Sequence, residues 1–271
     1  MAARSRNESF HDRWAGRYDA AYEDDPYWRF YRTITWNHLK PHLPRSQPAR
    51  VLDLGCGTGE WGIKLLRSGF EVSFVDLSQA MLDQAARKVD ELGLAAKATF
   101  AKAEISALEG LEDGAYAFAT AQGDPLSMTP DPRAALRRIG ALLAPGACLV
   151  ASVDARAGQV DAYFEHSDWE GFQQLVDRGR SEFLTRRREE RFETHAFELE
   201  ELEQLCRKAG LEWVDGIGKL VLPLRRYPEW LADEKRFREL VRREESLHRK
   251  ASWIGRASHL QFVARRPRGE A

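Results

Sequence analysis

The sequence predicts an α/β fold built on a mostly parallel sheet. Three observations predict it. Val51-Leu52-Asp53-Leu54-Gly55-Cys56-Gly57-Thr58-Gly59-Glu60-Trp61 reads as a short apolar strand, a glycine turn and the start of a helix. Phe70-Glu71-Val72-Ser73-Phe74-Val75-Asp76-Leu77-Ser78 is a second apolar strand, and its acid falls about 20 residues past the turn. Strands and amphipathic helices then alternate through most of the remaining chain.

Residues 1–9 are polar, and the stretch on to Leu43 is rich in aromatics, among them Trp14, Tyr18, Tyr22, Tyr27, Trp28, Tyr31 and Trp36. Tyr18 and Tyr22 are four apart and share a helix face. Asp25-Pro26 ends the first helix, and a second covers 27–39. Pro41, Pro44 and Pro48 lead into the core. A strand over 50–54 is followed by a helix over 59–68 with Trp61, Leu65 and Leu66 inward; Gly69 closes it. A strand over 71–76 precedes a helix capped by Ser78, with Met81, Leu82, Ala85 and Val89 at helical spacing. Strands over 98–101, 115–121 and 147–153 follow, the last two separated by a helix that Asp131-Pro132 opens. The stretch 156–194 interrupts the pattern and carries His166, Trp169, Phe183 and a mixed-charge run over 186–191. A helix over 197–206, a strand over 211–221, a charged helical excursion over 227–248 and a last strand over 258–264 complete the chain. The expected organisation is a helical lid (1–45), a ligand-binding core (46–155), an insertion (156–196) and a C-terminal part of the core (197–271).

With 271 residues and a formal net charge of −1, the chain has no global attraction for nucleic acid or an anionic membrane. Its three cysteines lie far apart without metal-ligand spacing, so no metal is expected and reduced thiols are. No apolar run approaches a membrane span of about 20 residues. The first residues lack the apolar segment of an export signal, and the expected location is the cytoplasm.

Gly57-Thr58-Gly59-Glu60-Trp61-Gly62 satisfies G-x-G-x-x-G, a pattern shared with dinucleotide sites. A pyrophosphate there would lie between Asp53 and Glu60, and both would repel it. A ligand bringing positive charge suits the turn, and Asp76 suits ribose hydroxyls. Leu52-Asp53-Leu54-Gly55-Cys56-Gly57-Thr58-Gly59 followed by Val75-Asp76-Leu77-Ser78 resembles the class I S-adenosylmethionine-dependent methyltransferases. The resemblance covers 50–155 and resumes more loosely after Phe197. It implies a Rossmann-like, seven-stranded, mostly parallel sheet with helices on both faces, an N-terminal helical lid and an insertion after strand five. It also implies S-adenosylmethionine contacts from Tyr18, Asp53, Gly55, Cys56, Gly57, Asp76, Leu77, Glu104, Ile105 and Gln122, with S-adenosylhomocysteine as product. By the same likeness Tyr22, Trp28, Tyr31 and Arg32 line the mouth toward substrate, and His166 and Trp169 contribute from the insertion. The plain alternative for the aromatics is packing of the lid helices onto the sheet.

Asp124, in Gly123-Asp124-Pro125-Leu126 at the end of strand four, is the candidate that orients or deprotonates an acceptor. The alternative is an Asp-Pro turn in which the side chain bonds its own backbone. His195, like His166, is a candidate base by residue type, against a structural or exposed role. The reading is a methyltransferase acting in line on an O or N atom of a small-molecule acceptor, as monomer or homodimer, without nucleic-acid or membrane partners. Two alternatives stay open: a non-catalytic S-adenosylmethionine-binding sensor and an NAD-dependent dehydrogenase.

Overall fold

The computed structural model describes residues 5–22, 25–183 and 187–269, so Arg186 of the charge run lies outside the described residues. The strands are β1 (Arg50–Leu54), β2 (Glu71–Asp76), β3 (Ala98–Lys102), β4 (Tyr116–Ala121), β5 (Leu143–Ala155), β6 (Arg180–Glu182), β7 (Glu193–Phe197), β8 (Glu212–Lys219) and β9 (His259–Arg265). The helices are α1 (Arg6–Trp14), α2 (Tyr18–Tyr22), α3 (Pro26–Leu39), α4 (Glu60–Arg67), α5 (Gln79–Glu91), α6 (Pro125–Met128), α7 (Pro132–Leu142), α8 (Arg156–Glu165), α9 (Trp169–Arg178), α10 (Leu199–Lys208), α11 (Pro228–Ala232), α12 (Glu234–Leu247) and α13 (Ala251–Ile254).

The main layer runs β3-β2-β1-β4-β5-β9-β8. Parallel pairing joins β3 through β5, and β9 lies antiparallel between β5 and β8. The mostly parallel pairing agrees with the resemblance, but the sheet has nine strands among the described residues where seven were expected. The inserted segment adds two more strands: β6 and β7 form a hairpin, and β7 pairs with the last residues of β5.

Alternation along the strands sends side chains to two cores. Val51, Phe118, Val150 and Val263 pack under α4 and α5, with Leu65, Leu82 and Val89. Leu52, Ala119, Leu149 and Phe262 pack on the other face under α7 and α10, with Leu136, Ile139 and Leu202. A third cluster joins the lid to the C-terminal excursion: Phe30 and Ile34 of α3 meet Leu231 of α11 and Phe237 of α12. The excursion is broken in two where Asp233 caps α12, its side chain accepting from the Arg236 N–H at 2.7 Å. Among the described residues no helix is long and apolar enough to cross a membrane.

Helix α4 approaches β2 closely because Gly62 has no side chain. A Cβ there would stand 2.1 Å from Phe74 Cε1. Gly62→Ala should therefore destabilise the fold by about 1–3 kcal/mol through overpacking. Urea unfolding would measure it, and an unchanged midpoint would contradict this packing.

Candidate active site

The turn after β1 holds Gly55, Gly57 and Gly59 at φ of 64°, 53° and 90°, values that glycine reaches without strain. A Cβ on Gly55 would stand 2.5 Å from Pro125, whereas one on Gly57 would meet nothing within 4 Å. Asp76 ties this turn to β2: the Gly57 N–H donates to Oδ2 and the Ser78 N–H to Oδ1, both at 2.8 Å. Each oxygen keeps a lone pair for a ligand hydroxyl. Leu77, Glu104 and Ile105 line the same small cavity of about 90 Å³ beside Asp76. Glu104 accepts from Thr129 Oγ1 at 2.6 Å and from the Ser106 N–H at 2.9 Å.

A second cavity of about 1560 Å³ shares Tyr18, Gly55, Gly57 and Gln122 with the first, and Cys56 also lines it. Gln122 donates from Nε2 to the Val150 carbonyl at 2.9 Å, and its Oε1 is buried without a partner. An orphaned acceptor beside the open face of Gly57 fits a ligand that carries donors, as an α-ammonium does.

The N-terminal segment crosses the carboxyl ends of β1–β3 on polar contacts. Ser78 Oγ donates to Asp12 at 2.6 Å, Lys102 pairs with Glu8 at 2.7 Å, and Lys88 pairs with Asp19 at 2.8 Å. Tyr18 and Tyr22 lie with ring centroids 4.7 Å apart, Trp28 stands edge-on to Tyr22 at 4.7 Å, and Arg32 donates to the Tyr22 carbonyl at 3.1 Å. These four residues, with Tyr31, line the larger cavity.

Its inner wall is a charged cluster that the topology assembles. The carboxyl end of β5, the start of antiparallel β9 and the end of β8 come into register, placing Asp154, His259 and Lys219 side by side. Asp124 joins them from the β4–α6 junction, at φ 66°. Its side chain caps no backbone group; instead His259 Nδ1 lies 2.8 Å from Asp124 Oδ2 and 3.7 Å from Asp154 Oδ1. Lys219, fully buried, donates to Tyr31 OH at 2.8 Å. Burial opposes the Asp124 charge, but His259 and Lys219 outweigh it and hold the carboxyl down at about 2. Burial and the Asp124 charge push Asp154 up to about 7. Burial pushes the Lys219 ammonium down to about 8 against the pull of both acids. The ligand atoms of Asp124, Asp154 and His259 lie within 4.8 Å of one another and could also share a cation, though the buried ammonium nearby works against one.

Residues 27–215 match the family described as "Methyltransferase domain". The chain belongs to this family, the class I S-adenosylmethionine-dependent methyltransferases. It is 30% identical over 200 residues to the ubiquinone biosynthesis O-methyltransferase of Psychrobacter arcticus, covering 73% of this chain and 72% of that one. Identity to YqeM of Bacillus subtilis, named as a methyltransferase, is 41% over 76 residues, or 28% of each chain. Identity to the tRNA 5-carboxymethoxyuridine methyltransferase of Escherichia coli is 32% over 124 residues, 44% of this chain and 46% of that one. The match thus spans well under two thirds of YqeM and of the tRNA enzyme. Among solved structures, phosphoethanolamine N-methyltransferase 2 of Haemonchus contortus with S-adenosyl-L-methionine has a TM-score of 0.58 at 20% identity, covering 87% of this chain and 52% of that one. The [4+2]-cyclase SpnF has a TM-score of 0.58 at 20% identity, covering 88% and 82%. These last two likenesses concern the fold.

In the methyltransferase four expected site residues fall outside both cavities. Asp53 lies on the strand face it shares with Val51, fully buried beneath α4, where Oδ2 accepts from the Gly62 N–H at 2.7 Å. Its carboxyl group secures the first turn of α4 instead of lining either cavity. His195 is displaced by alternation: Thr194 takes the cavity side of β7 and His195 the opposite one. His166 and Trp169 stand exposed on the α8–α9 pair, whose inward faces present Tyr163 and Leu175. His259, Lys219 and Asp154 were missed by the sequence reading. A histidine opening the last strand was the only local signal, and its meaning depends on β9 lying antiparallel to β5.

Two predictions test this geometry. Asp76→Ala should weaken S-adenosylhomocysteine binding by ~10-fold or more, since ribose loses a charge-assisted acceptor; unchanged affinity by calorimetry would remove that role. Burial raises Asp53 from 3.8 to about 7. The folded chain then holds a proton that the unfolded chain has lost, so this carboxyl's contribution to stability falls as pH rises through that window. Asp53→Asn should cancel the fall, and its Tm relative to wild type should climb between about pH 4 and 7. A difference independent of pH would show that Asp53 is not buried as placed.

Proposed function

We propose that this methyltransferase uses S-adenosylmethionine to methylate an O or N atom of a small-molecule acceptor held in the larger cavity, with His259 as the base. The observation that carries the reading is the His259–Asp124 pair in the wall of a cavity shared with the glycine turn. The cofactor supplies a methyl carbon already activated by its sulfonium, so the chain need not create a leaving group. What remains is to hold the acceptor in line, exclude water and accept a proton, and orientation can supply much of the rate. The lid aromatics Tyr22, Trp28 and Tyr31 give the acceptor an apolar bed, with Arg32 beside them. His259 turns Nδ1 toward Asp124 and Asp154, which leaves Nε2 for the acceptor proton. Asp124 stays ionised and steadies the imidazolium that results. The unpartnered Oδ1 of Asp124 is buried at the same wall and suits an acceptor hydroxyl or ammonium.

The relative named for tRNA makes a nucleic-acid acceptor the competing reading. A formal net charge of −1 and a cavity walled by the lid and the β6–β7 hairpin favour a small molecule. Formation of S-adenosylhomocysteine across a library of phenols, alcohols, amines and tRNA would decide between them. Turnover with a small molecule supports the proposal; turnover with tRNA alone, or none at all, overturns it. With the acceptor found, His259→Asn and Asp124→Asn should each lower kcat by ~10²-fold or more, in the range of general-base catalysis. S-adenosylhomocysteine affinity should stay within about threefold, since neither change touches the Asp76 cavity. Equal losses in cofactor affinity and kcat would assign the pair to cofactor binding.

A further inference from the structure

Away from the cavity, three metal-ligating side chains converge where α3 leaves the lid and meets β8. His38 and the following His42 are four apart and lie on one side of the α3 end, with ring centroids 5.8 Å apart. Asp215 of β8 faces them, His38 Nε2 standing 3.1 Å from its Oδ2. One ligand atom from each of the three can be chosen so that all lie within 4.8 Å of one another. We propose that His38, His42 and Asp215 form a binding site for a borderline divalent cation of the zinc type, clamping the lid helix α3 to the sheet.

Four observations support the site. Two imidazoles with one carboxylate form a donor set suited to zinc. Bonds of about 2.0 Å in a tetrahedron put neighbouring ligands about 3.3 Å apart, a separation the His38–Asp215 pair already has. His38 is only 5% exposed, yet its Nδ1 has no hydrogen-bond partner. His248, 3% exposed and with Nδ1 also unpartnered, stands with its ring centroid 6.4 Å from that of His38 and offers a further imidazole.

The competitor is Arg249, whose guanidinium pairs with Asp215 Oδ2 and lies 2.8 Å from His248 Nε2. That side chain is 54% exposed, and such pairs contribute little net stability. A doubly charged cation bonded directly to Asp215 can replace it, with Arg249 moving into water. The clamp would act on the acceptor side, because α3 carries Tyr31 and Arg32, and Lys219 follows Asp215 along β8.

Zn²⁺ titration of the EDTA-treated full chain by calorimetry, with thermal melts alongside, tests the site. The expected result is one equivalent bound at micromolar Kd or tighter and a raised Tm. His42→Ala, at a half-exposed helix end, should weaken binding by ~10-fold or more. Arg249→Ala should tighten it by removing the competing cation. His259→Ala should leave it unchanged, because that residue belongs to the separate Asp124–Asp154 cluster. No binding at micromolar Zn²⁺, binding that survives His42→Ala, or binding lost in His259→Ala would each overturn the proposal. None of these readouts depends on the acceptor or on turnover.

Discussion

A lysine with no solvent exposure must be compensated where it stands, and one wall of the larger cavity is arranged around that requirement. Leaving an ammonium uncompensated in an apolar interior costs several kcal/mol. Lys219 meets the demand with the Tyr31 hydroxyl and the charges of Asp124 and Asp154. The same compensation separates the two acids: Asp124 is held ionised while Asp154 rises toward neutrality. Two carboxyls with different protonation states then flank one imidazole. That division of roles follows from burial and proximity, without any residue type being unusual.

Legibility in the sequence followed the distance over which each interaction acts. The glycine turn, Asp76 and the Ser78 cap are set by neighbours within a few residues or by one parallel strand pair, and they stand where the pattern placed them. So does the alternation that divides Val51 from Leu52. Asp53 was placed in the cofactor cavity because it abuts the turn. Counting from Val51 puts it on the α4 face, and the close approach of Gly62 then supplies its hydrogen bond. His195, a candidate by residue type, sits one residue from the cavity-facing Thr194 and turns the other way. Side-chain direction alternates with every residue, so adjacency to a site in sequence is weak information about entering it.

His259 was illegible for a different reason. Its partners lie far from it in sequence, and they meet it only because β9 enters antiparallel between β5 and β8. A shift of one residue in that register would turn the imidazole to the opposite face. Asp124 shows the complementary case: the sequence allowed both an Asp-Pro turn and a functional acid. Its left-handed backbone supports the first, while its side chain, turned to His259 and not to its own backbone, favours the second.

The N-terminal helices are held unevenly over the larger cavity. In the segment through α1 and α2, Phe10 packs against Phe183 and Phe192. The other ties are ion pairs and hydrogen bonds, from Glu8 to Lys102 at the end of β3, from Asp12 to Ser78 after β2 and from Asp19 to Lys88 of α5. Such contacts are individually weak near water and are screened by salt. Helix α3 instead buries Phe30 and Ile34 completely against α11 and α12, and burying one such side chain contributes about 1.5–3 kcal/mol. The part of the cavity beside the glycine turn is therefore roofed by the more lightly held piece, and the part beside His259 by a piece fixed to the C-terminal excursion. Releasing the first piece breaks polar contacts and uncovers one buried aromatic, Phe10. Releasing α3 would have to expose an apolar core, so the wall that carries Asp124 and His259 is the more firmly held of the two.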